Sequence, residues 1–160
     1  MMVAGEEFDE LFDREYTRLV RALRNADDDA TDAVQEAFVQ AFARWGRVSR
    51  LDDPAGWVRR VAVNRLLNAR RSRTRRNSAI AALAGGVADA EFGVESHLDL
   101  RAAVRELTPQ QRLTVALFYG GDFSVNEVAD AMKLSEGTVK YHLHAARERL
   151  RELLAESTNG

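Results

Sequence analysis

The sequence predicts an all-α chain: two small helical domains joined by a flexible linker, the C-terminal one a helix-turn-helix. Three observations carry this reading. Only 2 of the 160 residues are proline, while Ala, Leu, Arg and Glu, all good helix formers, are abundant. Apolar residues recur at spacings of three and four in several separate stretches. Helix-capping signatures punctuate the chain, each a polar cap followed by proline or by Gln or Glu three residues on.

Phe8, Leu11, Phe12, Leu19 and Leu23 keep one helical face apolar. After the acidic turn Asp27, Asp28, Asp29, a second helix carries Val34, Phe38, Ala41, Phe42 and Trp45 on its inner stripe. Asp53-Pro54 reads as an N-cap with proline at the first helical position. It opens a third helix through Trp57, Val58, Val61 and Leu66 into the arginine run Arg70, Arg71, Arg73, Arg75, Arg76. From residue 77 to 96 the chain turns rich in Ala, Gly and Val with no stripe, and this stretch is read as the linker.

The second unit, residues 97–160, has explicit boundaries. Thr108-Pro109-Gln110-Gln111 and Ser124-Val125-Asn126-Glu127 both read as capping boxes. Leu113, Ala116 and Leu117 form the stripe of the helix between them, which Gly120-Gly121 should end. Val125, Val128, Ala129 and Met132 form the next stripe, followed by the turn Lys133-Leu134-Ser135. Ser135 can cap a last helix whose inner face is Val139, Leu143, Ala146 and Leu150, with Lys140, Tyr141, His144 and Arg147 on the other side. Small Ala129 permits a close helix crossing, Leu134 plugs the turn, and a partly basic face is left for a major groove. An ordinary amphipathic hairpin satisfies the same spacing.

Composition excludes several classes. No run of about 18 apolar residues is present, and the N-terminus MMVAGEEFDE is acidic where a signal peptide would be basic and then apolar. A cytoplasmic protein without membrane insertion is expected. With no cysteine there is no disulfide framework, thiolate zinc site or thiol nucleophile. There is no phosphate-cradling glycine motif and no nucleophile elbow. His142 and His144, two apart on a helix, point roughly 200° from each other and cannot share a metal. Asp27 to Asp32 fails as a calcium loop, because Asp32 stands where the turn glycine is needed and Phe38 where the bidentate glutamate belongs. A solvated helix entrance is the simpler reading of that cluster. No catalytic residue, cofactor, metal or small-molecule substrate is assigned.

The formal net charge of −2 conceals segregation: residues 1–40 hold 11 acids and 4 bases, whereas residues 41–76 hold 11 bases and 2 acids. One half of the first unit suits a cationic partner and the other an anionic one. Of the 23 basic residues, 21 are arginine, which favours planar, bidentate contacts to phosphate or carboxylate. Trp45, Trp57 and Asn64 lie within the basic stretch, adding side chains on which unstacked bases can rest or hydrogen bond. Trp57 also fits a core position, and the arginine run also fits a solvated helix end.

These residues resemble the extracytoplasmic-function group of bacterial RNA polymerase sigma factors over nearly the whole chain. Region two of that family resembles Phe8 to Arg76, through Asp29-Ala-Thr-Asp32-Ala-Val-Gln35-Glu36-Ala-Phe38 and Pro54-Ala-Gly-Trp57 into Val61-Ala-Val-Asn64. Region four resembles Leu98 to Leu154, through Leu107-Thr-Pro109-Gln-Gln-Arg112, Ser124-Val-Asn-Glu127-Val-Ala129 and Ser135-Glu-Gly137-Thr138-Val139-Lys140. The resemblance implies residues 1–76 as region two, 77–96 as linker and 97–160 as region four.

It further implies that Asp32, Gln35 and Glu36 dock on core RNA polymerase. Trp57, Arg60, Asn64, Arg65, Arg70 and Arg71 would melt and read the promoter's minus-ten element, Asn64 helping to hold a flipped base. Ser135, Thr138, Lys140, Tyr141, His144 and Arg147 would read the minus-thirty-five element as duplex. Family habit implies an anti-sigma partner. Two departures bear on promoter sequence: Lys133 stands where the turn often has glycine, and His142 and His144 replace residues that are often arginine or aromatic. Two other classes stay open on the residues. A stand-alone regulator with a response-regulator-like output domain fits Thr138-Val-Lys140-Tyr-His142, although residues 1–76 supply no receiver. A protein-only adaptor would show no salt-dependent DNA affinity.

Overall fold

A computed structural model of the chain describes residues 4–84 and 96–159. Among the described residues the architecture is helical throughout: α1 (Ala4–Arg24), α2 (Ala30–Ala43), α3 (Trp45–Val48), α4 (Pro54–Ala84), α5 (Ser96–Arg105), α6 (Pro109–Val115), α7 (Val125–Met132) and α8 (Glu136–Asn159). None of these helices is long and apolar enough to cross a membrane.

In the first unit α2 packs against α1 and α4. Ala30, Ala33, Ala37 and Ala41 are buried at spacings of three and four, so no bulky side chain holds the neighbouring helix away. Leu11, Leu19, Val34, Phe38, Val58, Ala62 and Leu66 fill the space between. Phe8 meets Phe38, Phe42 and Trp45 edge-on at 6.2, 5.2 and 5.4 Å between ring centroids, the arrangement that ring quadrupoles favour. Asp53 caps α4 as expected, its Oδ1 accepting from the Gly56 N–H at 3.0 Å.

Three details differ from the sequence reading. The second helix breaks at Arg44, and Trp45 starts the separate short α3. Asp27 is buried rather than solvated, and its Oδ1 accepts from the Asp29 N–H at 2.9 Å, which shapes the turn into α2. α4 continues eight residues into the stretch read as linker, ending at Ala84. That extension, NSAIAALA, has no amphipathic stripe but is rich in the best helix former. Of the rest of the expected linker, residues 85–95 lie outside the described residues and Ser96 already opens α5.

Both expected capping boxes form in the second unit. Thr108 Oγ1 accepts from Gln111 N at 3.2 Å and Gln111 Oε1 from Thr108 N at 3.2 Å. Ser124 Oγ accepts from Glu127 N at 3.1 Å and Glu127 Oε1 from Ser124 N at 3.0 Å. Arg112, buried, satisfies the terminal carbonyls of α5. Its Nε donates to Val104 O at 3.1 Å and its Nη2 to Arg105 O, and Nη2 also reaches Leu107 O, in the turn after α5, at 3.0 Å.

α7 ends in a Schellman turn: Leu134 N donates to Ala129 O at 2.9 Å and Lys133 N to Asp130 O at 3.3 Å, with Lys133 left-handed at φ 57°. Lysine bears a steric cost there that glycine does not. Lys133→Gly is therefore expected to raise stability by about 0.5–1 kcal/mol, the relieved strain outweighing glycine's larger unfolded-state entropy. Urea unfolding of the two proteins checks it; equal midpoints contradict it.

Gly120-Gly121 ends the preceding helix by a different route from the one expected. The last turn widens over Ala116–Gly120, with Gly121 N donating to Ala116 O at 3.0 Å. The left-handed residue is Asp122, at φ 56°. Gly121 is needed for space, since a Cβ there would sit 2.6 Å from the Phe123 ring and 2.9 Å from Ala22 Cβ. Ala22 belongs to α1, so this close approach joins the two units. α4 also packs on α7, and a continuous buried cluster runs from Leu11 in α1 to Leu143 in α8.

Candidate functional site

Three surfaces carry the candidate residues. On α2, Asp32 and Gln35 are exposed and Glu36 half-buried, one face by their spacing. Gln35 Nε2 donates to the Tyr16 hydroxyl at 3.1 Å and Gln40 Nε2 to Glu36 Oε1 at 3.5 Å. The same face continues through Val39 and Phe42, which are 61% and 65% exposed. Phe42 was expected in the core, but it only edges against Phe8. The face is thus acidic at one end and apolar at the other, a combination suited to a basic partner with an apolar contact. The spacing 32, 35, 36, 39, 42 carried that signal in the sequence.

On α4, Trp57 and Arg60 are half-buried, while Asn64, Arg65 and Arg71 are exposed. At 100° per residue, Trp57, Arg60, Asn64 and Arg71 fall within an arc of about 60°, and Arg65 stands apart from it. The helix therefore presents one polar, basic stripe with an indole at its start. The side chain of Arg70 lies outside the described residues. Trp45 is corrected as a base platform: it is only 7% exposed, buried in the first unit's core against Phe8. Arg60 is engaged, its Nη1 lying 2.6 Å from Asp130 Oδ2 on α7.

On α8, Val139, Leu143 and Ala146 are buried, and Lys140, Tyr141, His144 and Arg147 are exposed. Lys140, His144 and Arg147 fall within an arc of about 60°, and Tyr141 stands about 60° beyond it, on the side farthest from the buried stripe. Ser135 Oγ accepts from Thr138 N at 3.1 Å and lies 2.8 Å from Thr138 Oγ1, so both side chains serve the helix start. Asn126 Nδ2 donates to Glu136 Oε1 at 3.0 Å, tying α7 to the first turn of α8. The result is a rigid helix whose outer face is basic and aromatic, the form that enters a major groove.

Sequence reasoning missed Arg59. It is 3% exposed, and its guanidinium lies 3.7 Å from Glu15, 3.2 Å from Asp53 and 3.6 Å from Glu127. Two of these partners are more than 40 positions away, so no local pattern reveals them.

Comparison with known proteins covers both units. Residues 10–76 match the family model for sigma-70 region 2, and residues 97–150 match that for sigma-70 region 4. The chain is 31% identical to the ECF RNA polymerase sigma factor SigM of Mycobacterium tuberculosis, over 99% of the chain and 83% of that relative. It is 34% identical to the RNA polymerase sigma-E factor of Streptomyces avermitilis, over 96% of the chain and 89% of that relative. Among solved structures, the sigma factor RpoE of Bartonella quintana, co-crystallised with the anti-sigma factor NepR, has a similar fold. Its TM-score is 0.73 at 23% identity, covering 94% of this chain and 98% of that one.

Proposed function

Since the chain belongs to the ECF group of RNA polymerase sigma factors, we propose that its helical units divide promoter recognition between the three surfaces described above. It binds core RNA polymerase and directs promoter-specific initiation. In this reading residues 1–76 act as region two and residues 97–160 as region four. The α2 face of Asp32, Gln35 and Glu36, extended by Val39 and Phe42, docks on the polymerase. Trp57, Arg60, Asn64, Arg65, Arg70 and Arg71 hold the melted minus-ten strand through stacking and phosphate contacts. Ser135 and Thr138 set the start of α8, and Lys140, Tyr141, His144 and Arg147 read the minus-thirty-five duplex.

The chain makes and breaks no bond in this account. Binding energy from trapped, unstacked bases opens the promoter, and the polymerase supplies the chemistry. The workplace is the cytoplasm, with the polymerase. An anti-sigma partner belongs to the same reading; the Bartonella structure of the same fold contains one.

The observation that carries the duplex assignment is the two-sided character of α8: Val139, Leu143 and Ala146 are buried, while Lys140 and Arg147 on its flank and His144 and Tyr141 on the far side are exposed. Selection of minus-thirty-five sequences by holoenzyme carrying Lys140→Ala or Arg147→Ala tests it. A lost base contact costs about 1–3 kcal/mol and relaxes one position, whereas a lost phosphate contact weakens all sites alike and lowers the salt slope by about one. If neither variant changes the preferred sequence or the affinity, α8 meets DNA by another side.

A further inference from the structure

We propose that the cleft between the middle of α4 and the first turns of α6 and α8 is a binding site for a nucleotide carrying two or more phosphates. The site follows from the side chains that line it; only its consequence for the promoter rests on the function proposed above.

The cleft has a volume of about 960 Å³, enough for a cofactor-sized molecule. Arg71 and Arg75 line its α4 wall, and both are exposed. Four apart on a helix, they share one face with Cβ atoms about 5–6 Å apart. Arg75 Nε donates to Arg71 O at 3.4 Å, which draws its guanidinium toward Arg71. No carboxylate among the described residues lines the cleft. Arg59 and Arg60, about three turns earlier on the same helix, instead meet Glu15, Asp53, Glu127 and Asp130. The fold thus answers one pair of α4 arginines with acids and sets the other pair in a recess without them.

The opposite wall has a different chemistry. It is made by Tyr141 and His142 of α8 and by Gln110 and Gln111 of α6. Tyr141 is 67% exposed, so an aromatic surface is available for a base to stack on. The capping box takes Gln111 Oε1 and leaves its Nε2 as a donor, while the exposed Gln110 adds an amide that both donates and accepts. Charge on one wall, with a ring and amides on the other, matches the two halves of a nucleotide. Each guanidinium can bind one phosphate bidentately, so two of them favour at least a diphosphate. A duplex, whose major groove alone is about 12 Å wide, does not enter a recess of this volume. Arg71 also belongs to the minus-ten set and Tyr141 to the minus-thirty-five set, so a bound nucleotide and promoter DNA compete for both.

Fluorescence anisotropy of methylanthraniloyl-labelled ADP and GDP, titrated with the full chain, tests the site. Saturable binding is expected, reversed by unlabelled ADP or GDP, with AMP and inorganic pyrophosphate weaker by about tenfold or more. Arg75→Glu should weaken binding by about ten- to a hundredfold, the loss expected for a charged hydrogen bond. Arg76→Glu makes the same charge change on an exposed neighbour outside the cleft and should weaken it by less than about twofold, because salt screens distant charges. Tyr141→Ala should cost the nucleotides about tenfold and leave pyrophosphate unaffected. Absence of saturable binding, equal losses in Arg75→Glu and Arg76→Glu at unchanged helicity, or pyrophosphate competing as well as ADP overturns the site. Competition is read without transcription, from the yield of promoter complexes formed by core polymerase and nucleotide-saturated chain. The yield should fall for the parent and not for Arg75→Glu; an unchanged parental yield overturns the competition. A chain that binds ADP or GDP as described yet never forms a promoter complex with polymerase sinks the functional reading and leaves the site intact.

Discussion

Replacing Asp32 and Glu36 together by arginine is expected to weaken binding to core RNA polymerase by at least about a hundredfold, roughly 3 kcal/mol, because like charges are then forced together where opposite charges met. Both side chains reach solvent and neither holds the fold: the buried side of α2 is Ala30, Ala33, Val34, Ala37, Phe38 and Ala41. Helicity and thermal midpoint should therefore stay within the small range typical of surface changes. The exposed Phe42, 65% accessible, is expected to provide apolar contact at the other end of the same face, so Phe42→Asp should weaken polymerase binding as well. Fluorescence titration of labelled protein with core enzyme measures both. Unchanged affinity in the charge-reversed protein would make this face ordinary solvated surface.

The second large effect is on stability. Leu143 is 3% exposed on the inner side of α8, which packs on α6 and α7. Leu143→Ala removes buried volume and leaves a cavity, at a cost of about 2–5 kcal/mol. Against a total of about 5–15 kcal/mol for a domain, that loss is enough to melt the second unit on modest warming. The expected signature is a large drop in the urea midpoint together with loss of discrimination at every minus-thirty-five position. Lys140→Ala, on the exposed side, should leave the midpoint within about 0.5 kcal/mol of the parent. Equal stability of the two variants would mean that the inner and outer faces of α8 have been exchanged.

What could be read from the sequence was local. The caps at Asp53, Thr108 and Ser124 were legible because donor, acceptor and helix start lie within four residues. The face of α8 was legible because residues 139, 143 and 146 repeat at helical spacing. Phe42 misled because it follows Phe38 by four, the spacing of a core pair, while α4 covers only one side of α2. The alanine-rich end of α4 carries propensity without a stripe, so periodicity did not mark it. Arg59 and Arg112 were invisible for another reason: an arginine is a surface residue by default, and only the folded chain brings Glu15, Asp53 and Glu127 around one and the α5 carbonyls of Val104 and Arg105 around the other. Gly121 closes its helix as the glycine pair suggests, but its second role, leaving room for Ala22 and the Phe123 ring, has no local signal.

The most direct measurement is run-off transcription with purified core RNA polymerase on a pool of promoters randomised at both elements, with and without the chain. Transcripts that depend on the chain and come from templates sharing two short motifs at fixed spacing are expected. The upstream motif should be lost when Lys140 and Arg147 become alanine, and the downstream one when Asn64 and Arg71 do. Transcription that is independent of the chain, or enriched templates with no common pair of motifs, would contradict it.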